Sequence, residues 1–243
     1  MKNNILRALL FAALATALLV LPAAADTLLT LENRQEGNLP GAQTGSSTVE
    51  VWLGDKRVSR RDDKTTMIFT QNPDRLVVID HQAKTFSPID LPVNLANLVP
   101  EDMQAMLPMF KMEVEVTETD ETRTIGDWQT KRWNLTLSNA TGMVVNAVLW
   151  MTTDLDFDYE TFRQLSMRMA ELQPGGEGMA EKLQSIPGFP VLTETAIDLR
   201  GTTFKTFEEL QKVEEKDAPS GTYEAPKGYT EKAFDAIANA AGG

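Results

Sequence analysis

Acidic residues at alternate positions form the most prominent chemical motif of this 243-residue chain. The motif consists of Asp154, Asp156, Asp158 and Glu160. This spacing is typical of the first ligands of a calcium-binding loop, in which the sixth residue is glycine and the twelfth is glutamate. Here the sixth residue is Tyr159 and the twelfth is Leu165. We therefore predict no metal site and interpret Asp158 as the N-cap of a following helix.

Nucleophilic catalysis has little support in the sequence. His81 is the only histidine, it begins a turn, and no G-x-S-x-G motif accompanies it. The chain contains no cysteine, which excludes disulfides, thiolate nucleophiles and zinc–cysteine sites. The glycine-rich stretch at 175–178 lacks the Lys-Ser/Thr of a phosphate-binding loop. We predict a protein that is not an enzyme and that uses no cofactor.

Large apolar side chains are the remaining candidates for a binding role. Methionine adapts to apolar shapes because it is unbranched and polarizable, and several methionines lie in or beside two predicted helical segments. We predict an apolar ligand cavity lined by Trp52, Phe69, Trp133, Trp150, Met106, Phe110, Phe162 and Met169. The alternative is that these methionines and tryptophans only complete a hydrophobic core.

The elements that must position these side chains are mainly β-strands. Apolar and polar residues alternate through 48–53, 112–117 and 132–138, the pattern of strands with one buried face. Turn residues such as Gly54-Asp55 separate the strands. About nine or ten strands with short connections predict an antiparallel meander. The fold class is mainly β (α+β), with a single antiparallel sheet that curves into a half-barrel.

Two insertions with helical periodicity interrupt the strands, near 91–110 and 158–186. Pro100 suits the first position of a helix, and Pro108 must kink or end it. In the second insertion Tyr159, Phe162, Leu165, Met169 and Leu172 fall on one stripe. We expect these apolar stripes to cover the concave face of the sheet as a lid.

The N-terminal 25 residues have the layout of a secretory signal peptide. Lys2 and Arg7 precede an apolar run that is short for a membrane span, and Ala23-Ala24-Ala25 offers an A-x-A cleavage site. We predict cleavage after Ala25, a periplasmic or secreted protein without a stable membrane span, and one domain over 26–228. Residues 229–243 are predicted to form a C-terminal helix or a flexible tail.

The charge balance excludes several classes of partner. The chain has 23 basic and 35 acidic residues and a formal net charge of −12. Such a surface repels nucleic acids and anionic lipid headgroups. The predicted partners are therefore a lipid or another hydrophobic ligand, or an envelope protein.

Several short segments, in order, resemble a domain-of-unknown-function family of exported bacterial proteins related in fold to the lipoprotein carriers LolA and LolB. The matching segments are 51–57 with its Gly-Asp-Lys turn, 79–86 with Ile-Asp and Lys-Thr-Phe, 149–155 with Leu-Trp-Met-Thr-Thr-Asp, 188–194, and 223–229. Members often carry a cysteine near 126–133, and this chain has none there.

The resemblance implies a curved antiparallel sheet whose open side is covered by helices. It also implies a cavity for acyl chains and brings no catalytic residue with it. Together with the residues, it predicts a non-catalytic binding or carrier protein for a lipid or a lipoprotein acyl chain. The alternative function is an envelope interaction or assembly module without a ligand cavity.

Overall fold

Alternating apolar and polar residues build one sheet of twelve strands. The structure is a computed structural model and describes residues 25–36, 45–92, 101–105, 107–172, 176–199 and 202–234. The strands are β1 (Thr27–Glu36), β2 (Gly45–Gly54), β3 (Arg57–Arg61), β4 (Thr65–Thr70), β5 (Arg75–Asp80), β6 (Thr85–Asp90), β7 (Glu113–Ile125), β8 (Trp128–Ser138), β9 (Val144–Thr152), β10 (Phe189–Leu199), β11 (Thr202–Glu215) and β12 (Thr230–Glu231).

The strand order is β12-β6-β5-β4-β3-β2-β1-β11-β10-β9-β8-β7. Two antiparallel meanders, β1–β6 and β7–β11, are joined where β1 pairs with β11. The prediction of a single curved antiparallel sheet is confirmed. The sheet has more strands than the sequence indicated, because β6 and the short β12 were not predicted, and β12 pairs with β6 in parallel.

The helices occupy the two predicted insertions. They are α1 (Glu101–Gln104), a 3₁₀ helix (Leu107–Phe110), α2 (Glu160–Glu171) and α3 (Gly176–Gln184). In the first insertion only short helical pieces form among the described residues, consistent with the expected effect of Pro108. The N-cap of α2 is Tyr159, so the predicted N-cap is wrong by one residue. Asp158 instead accepts a hydrogen bond from the backbone N–H of Glu160 at 2.9 Å.

The inner face of the sheet, defined here as the face that packs against α2, holds the main hydrophobic core. Leu53, Val58, Phe69 and Leu76 follow one another across β2–β5 on this face, and the α2 residue Leu165 belongs to the same buried cluster. On β8 and β9, Trp133 and Met151 form a second cluster with Ile186, which follows α3. The two helices of the second insertion therefore roof the inner face, as predicted for that insertion.

The opposite, outer face is covered by a C-terminal strap, defined here as residues 216–234. The backbone N–H of Lys216 donates to the carbonyl of Asp26, and the N–H groups of Thr230 and Lys232 donate to carbonyls of β6 and the turn before it. The guanidinium of Arg57 stacks on the ring of Tyr223 at 4.1 Å. Both faces of the sheet thus acquire a cover, one helical and one extended.

Several predictions fall wholly or partly outside the described residues. The signal peptide lies outside them up to residue 24, and so does Met106. For the predicted C-terminal helix, Thr230–Glu231 form β12 rather than the start of a helix, because their backbone pairs with the edge of β6. Residues 235–243 are outside the described range, where the helix stays a prediction.

Candidate functional site

An apolar cavity of about 170 Å³ lies between the inner face and the two helices. Leu149 and Met151 of β9 form its floor because alternate residues of a strand point to one face. Phe162 and Met167 of α2 line the wall together with Leu183 of α3. The space lies where strands and helices meet, a common location for small-molecule sites.

A more polar recess of about 470 Å³ lies beside the cavity and is called its mouth here. Tyr159, Arg163 and Gly188 line both spaces, so the two are neighbours that share these residues. Phe157, Asp158 and Glu160 belong to the mouth alone. The arrangement places a mainly apolar space beside a more polar recess, a combination that suits an amphiphile.

Aromatic rings surround Phe189 at the junction of β10 and the helices. Its ring centroid lies 5.0 Å from Phe162, 5.7 Å from Phe157 and 6.2 Å from Tyr159. The contacts with Phe157 and Tyr159 are edge-to-face, a favoured arrangement for aromatic pairs. This cluster holds the segment before α2 against the start of β10 and shapes one side of the cavity and of its mouth.

Two polar groups at the mouth neutralise each other. Arg163 contacts Glu160 with its Nη2 at 2.7 Å and donates from its Nε at 2.8 Å to the same carboxylate oxygen. Gln164 donates to the other oxygen at 2.8 Å. Burial alone raises the pKa of Glu160, but the hydrogen bonds from Gln164 and Arg163 outweigh it, and the net pKa is lowered. The carboxylate is therefore ionised and fully engaged.

Gly188 lies between the cavity and the mouth and lines both. Its φ is +88°, a conformation that side-chain-bearing residues rarely adopt. A Cβ at this position would lie 2.2 Å from the backbone oxygen of Thr152. Only glycine lets β9 and the approach to β10 come this close beside the cavity.

The predicted wall residues divide between the two faces of the sheet. Phe162 lines the cavity, while Phe69, Trp133 and Met169 pack on the inner face without lining it. Phe110 ends the 3₁₀ helix, and its side chain is outside the described part of the chain, as is the whole of Met106. The structure thus brings only part of the predicted set to the inner face.

Trp52 lies on the outer face beneath the strap, whereas Trp150 belongs to the main buried cluster and alternates with the cavity-lining Leu149 and Met151. Trp52 alternates with Val51 and Leu53 of the inner core, and Lys216 of the strap lies 5.3 Å from its ring centroid. Trp150 donates from Nε1 to Glu194 at 3.1 Å, and Arg123 stacks on its ring at 3.8 Å. Neither tryptophan reaches the cavity, because the residues flanking each one in its strand occupy the inner face.

The sequence analysis missed most of the lining. The missed residues that matter for the argument are Leu149, Met151, Arg163, Met167, Leu183 and Gly188. Alternation in β9 marks Leu149 and Met151 as one face, and the spacing of Tyr159, Phe162, Arg163 and Ser166 marks one side of α2. These signals define faces, but they do not say which face is roofed.

The sole histidine joins the strap to the sheet. His81 Nε2 lies 2.8 Å from the hydroxyl of Thr66, and Nδ1 lies 3.1 Å from the hydroxyl of Tyr229. Within the described ranges, no group of three or more acidic or histidine side chains is arranged to hold a metal ion. None of the described helices is long and apolar enough to cross a membrane.

The sequence also matches a family model over residues 43–229, most of the described sheet. The chain belongs to the DUF4412 family. That family is described as a domain of unknown function. A search of curated proteins finds no significant match to this DUF4412 chain.

Comparison with solved structures finds distant similarities to this DUF4412 member. One is to PNGF-II, with a TM-score of 0.42, 13% identity and coverage of 86% of this chain, which spans only 31% of that protein. Another is to an outer membrane lipoprotein-sorting protein domain from Vibrio parahaemolyticus, with a TM-score of 0.31, 8% identity and coverage of 82% and 89% of the two chains. A LolA superfamily protein from Nitrosomonas europaea has a TM-score of 0.30, 10% identity and coverage of 83% and 90%.

Proposed function

We propose that this DUF4412 member is a non-catalytic binding or carrier protein for an apolar ligand, namely a lipid or a lipoprotein acyl chain. We further propose that the N-terminal 25 residues direct it to the periplasm or outside the cell and are removed. The observation that carries the proposal is the apolar cavity beneath α2 and α3, which lies beside the polar mouth. A carrier needs this combination because it must shelter an apolar group and still release it.

The volume of the cavity limits the size of a ligand that can enter while the helices stay in place. At about 170 Å³ it is close to the engineered ~150 Å³ cavity that admits benzene. It therefore accommodates a ring or the end of a chain, and a longer acyl chain requires α3 to move outward. Among the described side chains of α3, Ala180 is buried and Met179 and Leu183 are half-buried against the core, so outward movement of this helix must be offset by the apolar contacts that the ligand makes. Each methylene that enters contributes about 0.8 kcal/mol.

Filling the cavity tests the proposal. Ser166 of α2 lines the cavity, and its hydroxyl donates to the carbonyl of Phe162 at 3.2 Å. We expect Ser166→Phe to abolish uptake of a fluorescent fatty acid that the unaltered protein binds. Ser185→Phe is the matched control, because Ser185 also donates to a local carbonyl but is exposed outside the cavity.

Native mass spectrometry of the protein purified gently from its own envelope provides the second measurement. Co-purifying lipid that disappears in Ser166→Phe supports carriage. No bound lipid and no fatty-acid uptake by the unaltered protein contradict it. Equal uptake by Ser166→Phe and Ser185→Phe contradicts the assignment of this cavity as the site.

The alternative proposal is an envelope interaction module whose cavity is only a packing defect. The observation that favours it is size, because ligand cavities usually measure about 300–1,000 Å³ and this one is smaller. Cross-linking in intact cells that captures a protein partner equally from the unaltered chain and from Ser166→Phe would support this alternative.

A further inference from the structure

We propose that the mouth of the cavity selects amphiphiles whose headgroup carries an ammonium, and disfavours purely anionic headgroups. This inference rests on the proposed function, because it names the class of ligand for the same site. It is carried by the charged and aromatic side chains that line the mouth rather than by the apolar interior.

The charge balance of the mouth is the first observation. Its charged lining residues are Asp158, Glu160 and Arg163. Glu160 and Arg163 form an ion pair at 2.7 Å, so the guanidinium is already neutralised. Asp158 accepts a hydrogen bond from the backbone N–H of Glu160, and no described cation lies within ion-pair distance of its carboxylate. The mouth therefore presents one uncompensated negative charge, at the entrance of a protein whose net charge is −12.

Aromatic rings beside that carboxylate are the second observation. Phe157 and Tyr159 flank Asp158 in sequence and line the same recess, with ring centroids 6.3 Å apart at an interplanar angle of 80°. Ring faces attract ammonium groups, and aromatic walls are how proteins recognise choline and methylated lysine. A carboxylate next to such rings adds direct charge attraction for a cation and repulsion for an anion.

The location connects the headgroup to the chain. Tyr159, Arg163 and Gly188 line both the mouth and the inner cavity, so a ligand can place its apolar end against Phe162 while its head remains among the mouth residues. An anionic head placed there meets Asp158 and finds no free cation, because Arg163 is held by Glu160. An ammonium head meets a carboxylate and two rings.

Two lysolipids with the same acyl chain test the inference, lysophosphatidylcholine and lysophosphatidylglycerol below their micelle concentrations. We expect the protein to bind lysophosphatidylcholine about fivefold more tightly, measured by titration calorimetry. Asp158→Asn keeps a side-chain oxygen to accept the Glu160 N–H but removes the charge, and we expect it to reduce the ratio to about twofold or less.

Asp156→Asn is the matched control, because Asp156 is an exposed aspartate two residues away that does not line the mouth. We expect it to leave the ratio unchanged, although it alters the net charge equally. Equal or tighter binding of lysophosphatidylglycerol, or the same effect from both variants, overturns the headgroup inference while leaving apolar binding intact. If neither lysolipid binds, the proposed function itself fails.

Discussion

At the scale of single residues, glycine determines how closely two backbone segments can approach each other beside the cavity. Gly188 is the clearest case, because its positive φ and its contact with Thr152 both exclude a side chain. Gly142 has a similar φ of +85° in the turn between β8 and β9, but no atom lies within 4 Å of its ideal Cβ position. Substituting alanine at Gly142 therefore tests backbone strain alone, and substituting it at Gly188 tests strain together with the steric conflict.

We predict that Gly188→Ala destabilises the protein more than Gly142→Ala. The strained φ costs both variants about 1–3 kcal/mol of unfolding free energy. The conflict with the Thr152 carbonyl adds about 1–3 kcal/mol to Gly188→Ala alone. Urea denaturation of the two variants measures the difference, and equal losses would show that the backbone relaxes around the added methyl group.

A second residue-scale prediction concerns the pH dependence of stability. Burial raises the pKa of the Tyr223 phenol, the nearby Asp26 carboxylate raises it further, and Arg57 opposes both. Because the folded state holds this proton more tightly than the unfolded state does, the Tyr223 contribution is complete below the unfolded pKa of about 10. It is lost as the pH rises above that value.

We therefore expect unfolding free energy to fall more steeply above pH 10 in the unaltered protein than in Tyr223→Phe. Urea titrations at a series of alkaline pH values measure the two slopes. Identical slopes would mean that Tyr223 has the same proton affinity in the folded and unfolded chains.

At the scale of elements, α2 is fixed to the sheet at its last turn as well as by its apolar stripe. Arg168 donates from Nε to Asp74 in the turn between β4 and β5 at 3.0 Å, and its Nη1 donates to Glu171. The hydrogen bonds that Arg168 donates to Glu171, together with the charges of Glu171 and Asp74, raise the pKa of Arg168 against the effect of burial. This contact sets where the end of α2 lies over β3–β5.

A double-mutant cycle of Arg168→Gln and Asp74→Asn should give a coupling energy of about 1 kcal/mol in unfolding experiments. The side chains are only 29% and 26% exposed. The matched control is Arg75 with Asp90, a pair at 3.3 Å that is 47% and 83% exposed. Its coupling should be about 0–0.5 kcal/mol, because exposed pairs are solvated and screened. Equal couplings would contradict a positioning role for Arg168.

At the scale of the whole molecule, the sheet has two different covers: helices α2 and α3 on the inner face and the strap on the outer face. The helices leave a cavity of about 170 Å³ on the inner face, and the strap leaves a recess of about 360 Å³ over the outer face, where it covers Leu28, Trp52 and Ile79. The strap is held by backbone pairing to β6 and by the contact of Tyr229 with His81. The outer cover therefore contributes stability through these contacts.

Removing the strap should expose the outer face. We predict that a chain ending at Glu215 shows a red shift of tryptophan fluorescence and binds a hydrophobic dye, because Trp52 loses its cover. Tyr229→Phe removes one hydrogen bond and should lower Tm by only about 2–4 °C without dye binding. Unchanged fluorescence in the truncated chain would show that the sheet does not need the strap.

Much of this architecture follows from local sequence. Alternation in β2, β8 and β9, the turn residues, and the helical stripe of α2 predicted the sheet and its lid, because these signals act over a few neighbouring residues. The strand β6 escaped prediction because Pro88 interrupts its pattern, and β12 has only two residues. Pairing partners outside the segment, rather than its own composition, make these two strands.

The sequence alone determined that this protein is an acidic, cysteine-free, strand-rich chain with two apolar helical insertions. Only the tertiary structure decided which apolar residues meet a cavity. Trp52 and Trp150 are as apolar as their neighbours, but neither lines the cavity, whereas Leu149 and Met151 lie beneath α2 and α3 and do line it. A strand signals that it has two faces, and only the packing of distant segments determines which face is roofed and where a gap remains.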